Sequence, residues 1–202
     1  MIYSKLTRSF YERDDVVTIA QELLGKVLCT HIDGIFTAGK IVETEAYNGR
    51  CDKACHAFSA GKTNRTEIMY GPGGYSYVYL CYGIHHLFNV VTNKEGLADA
   101  ILIRGIEPIE GIQEVLTRRN KTKLERSVGG GPGIAAQALG ITTQHYGEDL
   151  LGSVIWIEDR GLKIPGSEII ASPRVGVDYA GEDAQLPWRF RIKNNGFTSP
   201  SK

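Results

Sequence analysis

The strongest constraint on the fold is a pair of strand-like segments around Asp33-Gly34, in the stretch KVLCTHIDGIFTAGKIVETEAY (26–47). An Asp-Gly pair between two such segments is a strong local signal for a β-hairpin. The runs YSYVYL and LFNVVT, joined by the short link CYGIHH, predict a second hairpin. An antiparallel arrangement of strands is therefore expected at two places in the chain.

Helical patterns lie on either side of these strands. Apolar residues between 16 and 24 follow one helical face after Asp14 and Asp15, and the pattern stops at Gly25. A second helix is predicted from Glu110 to Arg119, after the apolar strand LADAILIRGIEP. The segment GGGPGIAAQALGI (129–141) predicts a short helix with free amide groups available for phosphate, and it lacks the Walker spacing.

The remaining segments are short strands and irregular stretches. Residues 48–71 are polar and predict a long loop, which in a compact domain is more often functional than not. SVIWIE, EIIASPRVGV and WRFRI predict further strands, and residues 195–202 are expected to be a frayed tail. A chain of 202 residues can bury one good core, so a single domain over residues 1–202 is predicted.

The charge balance constrains the partners. Lys plus Arg and Asp plus Glu both number 23, so a surface that binds a polyanion must arise from the distribution of charge, not from an excess. The first residues lack the apolar core of a signal peptide, and no segment is apolar enough to span a membrane. A cytoplasmic location without membrane association is expected.

The four cysteines do not have the pattern of a disulfide framework. Cys51, Cys55 and His56 resemble half of a metal site, but no second pair stands at zinc spacing. Reduced, mostly buried thiols and no metal are therefore expected.

Glu45 is the first candidate for chemistry. Alternation along the strand places Ile41, Glu43, Glu45 and Tyr47 on one face. A carboxylate beside an aromatic ring in an apolar strand loses solvation, which suits it to take a proton from water. The alternative is a solvated edge strand with Glu43 and Glu45 exposed, and spacing alone does not decide between the two.

Tyrosines dominate the second hairpin. Tyr75, Tyr77 and Tyr79 share one strand face, where such rings usually pack against a core. Tyr82 falls in the link beside Gly83, a place that favours contact with something outside the fold, such as separated bases. His85 and His86 are interpreted as polar loop residues.

Several motifs in order resemble the alkyladenine (3-methyladenine) DNA glycosylase family. They are ETEAYNG (43–49), the later His56, YVYLCYG (77–83), Asn89, ILIRGIEP (101–108) and RVGVDYAGE (174–182). The resemblance covers most of the chain. It implies a compact α+β domain built on a curved antiparallel sheet flanked by helices, with a protruding hairpin that enters the DNA minor groove.

The resemblance also implies roles for individual residues. Glu45 matches the general base that activates water, and Arg104 and the backbone carbonyl of Val175 match groups that hold this water. One wall of a base pocket corresponds to Tyr47 and His56, and the opposite wall to Tyr79. Asn89 matches a residue that disfavours guanine, and Tyr82 matches the side chain that fills the gap left by a flipped nucleotide.

The implied reaction removes alkylated or deaminated purines from double-stranded DNA, among them 3-methyladenine, 7-methylguanine, hypoxanthine and ethenoadenine, with no cofactor. The motif positions carry no lysine that could form a Schiff base, so a monofunctional enzyme that leaves an abasic site is predicted. The family favours a monomer. Ile134 stands where the family commonly has a lysine, and the candidates for compensating phosphate contacts are Lys62, Arg65, Arg118, Arg119 and Lys121.

Two other functions remain open at this stage. A non-catalytic protein could use the same tyrosines as stacking platforms for damaged or single-stranded nucleic acid. An unrelated hydrolase could reuse the fold. Substitution of Glu45 separates the first of these from a glycosylase, and cleavage of free nucleosides would indicate the second.

Overall fold

Both predicted hairpins form in the computed structural model, which describes residues 3–199. The Asp33-Gly34 turn joins two strands with continuous pairing from Ile32–Ile35 to Val27–Lys40. Within residues 3–199 the chain has nine strands: β1 Ser4–Lys5, β2 Val27–Ile32, β3 Ile35–Tyr47, β4 Ser76–Cys81, β5 His85–Thr92, β6 Asp99–Glu110, β7 Ile155–Asp159, β8 Ile169–Ser172 and β9 Arg189–Ile192.

The strands form one curled antiparallel sheet. Its order is β1-β7-β2-β3-β6-β5-β4, and β9 pairs with both β3 and β8 off this path. Every paired neighbour runs antiparallel. The expected α+β fold with a curved antiparallel sheet and flanking helices is confirmed.

Six α-helices flank the sheet within the described residues: α1 Arg8–Tyr11, α2 Val16–Glu22, α3 His56–Ala60, α4 Ile112–Arg118, α5 Arg126–Gly129 and α6 Pro132–Ala138. Helix α2 begins where the Asp15 carboxylate accepts the amides of Val17 and Thr18, which satisfies two free donors of the first turn. Gly25 follows the helix with φ of 85°, as the sequence predicts for a terminating glycine. No helix within residues 3–199 is long and apolar enough to cross a membrane.

The main core lies between the sheet and helices α2 and α6, and it includes Ile19, Ile41, Ile101 and Ala136. A second, smaller cluster contains the buried Cys55, Met69 and Tyr77, and the partly buried Tyr47 and Tyr79 pack against it. The large core fixes the strands, and the smaller cluster surrounds the region of the candidate site.

Strand β3 is paired on both edges around Glu43 and Glu45. Residues 35–40 pair with β2, residues 43–45 pair with β9, and β6 pairs with β3 from residue 38 to residue 47. Glu43 and Glu45 therefore have no exposed surface. The alternative of a solvated edge strand is wrong, because pairing with distant strands covers both edges.

Simple alternation along β3 is also wrong in one respect. The register with β6 shifts between Ile41 and Glu43, as expected of a bulge at Val42. Ile41 consequently joins the main core together with Ala46, and the Thr44 hydroxyl donates to the Ala20 carbonyl of α2. Ile41 does not share the face of the two glutamates, because the extra residue reverses the alternation.

Three boundaries differ from those predicted. Helix α4 begins at Ile112 instead of Glu110, because β6 continues to Glu110 and Gly111 breaks the strand with φ of 65°. The segment 48–71 is not a continuous loop but contains α3 and a 3-10 turn at Glu67–Tyr70. The strand predicted for EIIASPRVGV ends at Ser172, because the following Pro173 cannot donate to a ladder.

Residues 195–199 are held against the sheet and do not form the expected frayed tail. Asn195 donates from Nδ2 to Glu107 at 2.8 Å, and the Ser199 amide donates to buried Glu43 at 2.7 Å. The segment therefore completes the surroundings of a buried carboxylate. The rest of the predicted tail, residues 200–202, lies outside the described residues.

Candidate functional site

A cavity of about 720 Å³ brings together the residues predicted for the base pocket. Its lining includes the pocket residues Tyr47, His56, Tyr79 and Asn89, and also Tyr82, Arg104 and Val175. These residues come from β3, α3, the β4–β5 hairpin, β6 and the segment after β8. A volume of this size is in the range of small-molecule sites.

The Glu45 carboxylate is fixed by three groups that line the cavity. Its Oε1 accepts the Val175 amide at 2.8 Å, and its Oε2 accepts the Tyr47 hydroxyl at 2.7 Å. Arg104 Nη1 lies 3.4 Å from the same Oε2. The sequence predicted a part for the carbonyl of Val175, whereas in the structure its amide contacts the carboxylate. We call these four residues the cavity floor.

The charges of the cavity floor compensate each other. Arg104 is 7% exposed and Glu45 is fully buried, so each needs the other to offset desolvation. Burial acts to lower the pKa of Arg104, but Glu45 and Glu43 outweigh it and raise this pKa. Burial, followed by the charge of Glu45, raises the pKa of Tyr47 well above its usual range, so this phenol stays protonated and donates.

His56 lies with Tyr77 and Tyr79 in one aromatic wall, and not with Tyr47 on the wall opposite Tyr79 as predicted. The His56 ring meets Tyr79 edge-on with centroids 4.9 Å apart, and Tyr77 lies 5.3 Å from Tyr79. His56 Nδ1 is 2.9 Å from the Tyr77 hydroxyl. Burial, and then the nearby Arg65, lower the pKa of His56 to about 4. The ring is therefore neutral at pH 7, and His56 adds no charge to the aromatic wall.

Asn89 sits inside the sheet below the tyrosines. It is 4% exposed, and its Nδ2 donates to the Tyr77 carbonyl at 3.0 Å. Within residues 3–199 no hydrogen bond reaches its Oδ1. Because the amide nitrogen is held by the backbone, the side chain presents its oxygen, an acceptor, as the remaining polar group.

The hairpin tip, residues 82–84, is exposed and apolar. Tyr82 is 90% exposed and Ile84 is 70% exposed. The Ile84 amide donates to the Cys81 carbonyl, with φ of 51° at Tyr82 and 73° at Gly83. Positive φ at both central residues defines a type I′ turn, whose first central position favours Asn, Asp or Gly. Tyrosine there is locally unfavourable and projects its ring into solvent.

The comparisons with known proteins agree with this arrangement. Residues 9–196 match the family model of methylpurine-DNA glycosylase (MPG). The chain belongs to this family. A protein of Clostridium perfringens (strain 13 / Type A) is 44% identical over 96% of this chain and 98% of its own length. A protein of Chlamydia felis is 47% identical over 93% of this chain and 95% of its own length. Both carry the name "Putative 3-methyladenine DNA glycosylase".

Membership of the methylpurine-DNA glycosylase family makes the protein an enzyme of DNA repair, a hydrolase that acts on DNA. It also places the cavity in context. Glycosylases must reach atoms that are inaccessible inside a stacked duplex, so a pocket of aromatic rings beside an exposed hairpin has the shape that this chemistry needs.

The basic residues predicted for DNA contacts separate into two groups. Lys62 and Arg65 are exposed in the segment before β4, and the Arg65 guanidinium lies 4.7 Å from the centroid of the Tyr79 ring. Arg118 pairs with Glu114 at 3.0 Å and also bonds the Ala138 carbonyl, at the end of α6 away from the cavity.

Arg119 and Lys121 lie in the same region as Arg118. Arg119 bonds Gln137 and the Ser127 carbonyl, and Lys121 bonds Glu125. The structure therefore does not bring these three side chains to the cavity rim, where Ile134 lies beside Pro132.

Two supports of the site were not predicted from the sequence. Arg174 forms a fully buried pair with Asp52, and its guanidinium lies 4.8 Å from the Tyr47 ring centroid. Tyr77, assigned only to the core, also contacts His56. A charged residue inside the motif RVGVDYAGE was the available signal for Arg174, but its partner lies 122 positions away.

The histidines after the hairpin tip are not loop residues. Both begin β5, and His86 Nδ1 accepts the Thr143 amide at 3.1 Å. The thiols of Cys29 and Cys55 are buried, Cys81 is partly buried and Cys51 is exposed. Among the described residues, no group of three or more His, Cys, Asp or Glu side chains could hold a metal ion.

Proposed function

We propose that the protein flips alkylated or deaminated purines out of duplex DNA and hydrolyses their N-glycosidic bond, with Glu45 as the general base. The observation that carries this proposal is the cavity floor. Glu45 is fully buried, and the three groups that hold its carboxylate, Val175, Tyr47 and Arg104, line the cavity of about 720 Å³. Such preorganisation is how enzymes position an attacking water.

The aromatic walls favour a cationic base. Tyr47 and Tyr79 keep their protons, because burial raises the pKa of both hydroxyls, and His56 is neutral. Rings without charge offer stacking of about 1–3 kcal/mol per base and a cation–π attraction of about 1–2 kcal/mol when partly desolvated. Purines alkylated at ring nitrogen, such as 3-methyladenine and 7-methylguanine, carry the matching positive charge.

The chemistry requires little of the protein once such a base is bound. A cationic purine leaves readily, and a carboxylate stabilises the oxocarbenium-like sugar while it directs water to it. Glu45 takes the proton of the water, and the sugar gains a hydroxyl as the free base departs. Neutral bases such as hypoxanthine and ethenoadenine belong to the proposed range but need protonation as well.

The fixed position of Asn89 supports discrimination between purines. Its Nδ2 bond to the Tyr77 carbonyl holds the side chain in one orientation, and the residue is nearly fully buried. A substituent that points at this side chain, such as the 2-amino group that guanine has and adenine lacks, would meet a neighbour that is held in place. We propose that this side chain disfavours guanine.

The hairpin tip supports the extrusion step. An exposed ring on a short turn can enter the minor groove and occupy the gap that a flipped nucleotide leaves. None of the described residues that line the cavity is a lysine, which favours a monofunctional enzyme without a Schiff-base intermediate. We propose that the protein acts as a monomer.

Glu45→Gln tests the proposal. The amide keeps the shape of the side chain but cannot accept a proton, so release of 3-methyladenine from a duplex should fall about 10²- to 10⁴-fold. Binding to the same duplex should persist. Single-turnover release and an electrophoretic binding titration measure the two effects.

The matched control is Glu95→Gln, which alters an exposed glutamate and should keep the wild-type rate. Wild type should also be tested on duplexes that contain 3-methyladenine, 7-methylguanine, hypoxanthine or ethenoadenine. Binding without release of any of these bases would favour a non-catalytic nucleic-acid-binding protein instead. Equal release by Glu45→Gln and wild type would remove Glu45 as the base.

A further inference from the structure

Glu43 is a buried carboxylate that the proposed reaction does not use. It has no exposed surface, and it does not line the cavity. It stands two positions before Glu45 and so lies on the same side of β3, where both carboxylates contact Arg104. A charge in such a place needs several partners to remain ionised.

The partners of Glu43 come from three separate segments. Oε1 accepts Arg104 Nε at 3.1 Å and Arg189 Nε at 2.7 Å. Oε2 accepts the Ser199 amide at 2.7 Å, and the Ser199 hydroxyl lies within 2.8 Å of both oxygens. Burial alone would raise the pKa of Glu43, but Arg104, Ser199 and Arg189 together lower it.

Arg104 divides its donors between the two glutamates. Its Nε is bonded to Glu43, and its Nη1 is turned to Glu45. Because the guanidinium is planar, fixing Nε fixes the direction in which Nη1 points. The 3.1 Å contact between Nε and Glu43 is shorter than the 3.4 Å contact between Nη1 and Glu45. The contact with Glu43 therefore sets the orientation of the guanidinium, and this orientation points Nη1 at Glu45.

We propose that Glu43 is a positioning residue that aims Arg104 at Glu45, and that Ser199 of the C-terminal segment holds Glu43 in place. This inference rests on the proposed function of the cavity floor. It extends the site to a layer behind the floor and gives residues 195–199 a part in the rate of base release.

Glu43→Gln is the principal test. The amide keeps the volume but removes the charge that binds Arg104, so Arg104 should be less well aimed. The single-turnover rate of 3-methyladenine release at saturating enzyme should fall by up to about 100-fold. The enzyme concentration that gives half of this rate should not change, because Glu43 is fully buried and does not line the cavity.

Glu107→Gln is the matched control. Glu107 also bonds the C-terminal segment, through Asn195, but its ion pair is with Lys40 and not with Arg104. This variant should release base at the wild-type rate. A loss of rate equal to that of Glu43→Gln would show that general contact with the C-terminal segment matters, and would overturn the positioning role.

Ser199→Pro provides an independent test should Glu43→Gln not fold. Proline has neither the amide hydrogen nor the hydroxyl, so the hydrogen bonds from residue 199 to the Glu43 carboxylate are lost, while the strands keep their pairing. A slower rate with unchanged half-saturation is expected. Ser199→Ala keeps the amide and should lie between Ser199→Pro and wild type.

The outcomes separate this inference from the proposed function. Absence of release by wild type would remove the proposed function itself. If wild type releases base and folded Glu43→Gln or Ser199→Pro releases it at the same rate, only the role of Glu43 is overturned. A parallel loss of DNA binding and rate in these variants would indicate a structural role and would overturn it as well.

Discussion

The cavity floor and the hairpin tip face the same cavity but are built on opposite physical terms. In the floor, charged groups are buried and fixed by partners from distant strands, as with Glu45 and Arg104. At the tip, an aromatic ring is 90% exposed on a turn that suits smaller residues. Contacts with the rest of the fold stabilise the floor, whereas the conformation of the tip is locally unfavourable and its ring has few contacts with the fold.

The difference shows at which step each part of the site requires free energy. The proton acceptor must be oriented before the substrate binds, so the free energy that orients it comes from folding. Contact with DNA bases is made only in the complex, so an exposed ring and a left-handed backbone persist in the free protein. Substitutions should therefore affect stability most near the floor and binding most at the tip.

The largest expected effect on stability concerns the buried pair beside the floor. Asp52→Ala leaves Arg174 without the carboxylate that binds two of its nitrogens. Loss of one partner of a buried pair costs about 3–5 kcal/mol, because an uncompensated charge stays inside the protein. Urea denaturation followed by circular dichroism measures the change in the free energy of unfolding.

The control for Asp52→Ala is Glu22→Ala, which removes an exposed pair with Arg13. It should cost less than about 1 kcal/mol. Similar losses in the two variants would mean that burial does not distinguish the surroundings of the floor from the surface, and the comparison between floor and tip would fail.

A smaller effect of another kind is expected at the tip. Tyr82→Asn replaces the ring with a residue that the type I′ turn prefers, so the free energy of unfolding should stay the same or rise. Binding to a duplex with a damaged purine should weaken by about 1–3 kcal/mol, the contribution of one stacked ring. Thermal denaturation and a binding titration are the two measurements.

Tyr82→Phe keeps the ring and is the control for this variant, with binding close to wild type. A marked loss of stability in Tyr82→Asn would show that the tip, like the floor, is required by the fold. Undiminished binding would remove Tyr82 as the side chain that enters the stack.

The smallest expected effect is a pH dependence from His56. Its pKa in the folded protein is about 4, below the ordinary value of 6.5, so the unfolded chain binds the proton more readily. The contribution to stability is complete above pH 6.5 and is lost as the pH falls towards 4.

His56→Gln should therefore lose less stability than wild type on this acidification, by about 1–2 kcal/mol after allowance for partial exposure. Urea denaturation at pH 7 and at the acid end of the window gives the comparison. Equal losses in the two proteins would show that His56 is not held neutral by the wall.

Much of the fold follows from local signals in the sequence. Asp33-Gly34 specifies the first hairpin because few dipeptides accept its backbone angles, and two strand-like runs joined by a short link predict the second. The apolar face from residue 16 to residue 24 and Gly25 specify α2. The bulge at Val42 was not predictable, because the extra residue is defined only by the register with β6.

The sequence allowed us to predict which residues form the candidate site, but not which hydrogen bonds and ion pairs they make. The resemblance of several motifs to a known glycosylase family implied Glu45, Tyr47, His56, Tyr79, Asn89 and Arg104, and the structure brings them to one cavity or its floor. Arg118 and Arg119 were indistinguishable by type from Arg65, yet their partners in α4, α5 and α6 place them elsewhere.

The sequence by itself determined the hairpins, the first long helix and the exposed ring on a tight turn, because these depend on neighbours within a few positions. Only the tertiary structure decided that Glu43 and Glu45 are buried, that Arg104 lies between them and that Ser199 closes the cluster. Those contacts join residues up to 156 positions apart. Whether a carboxylate is solvated or enclosed depends on which strands and segments cover it, and no local pattern encodes that.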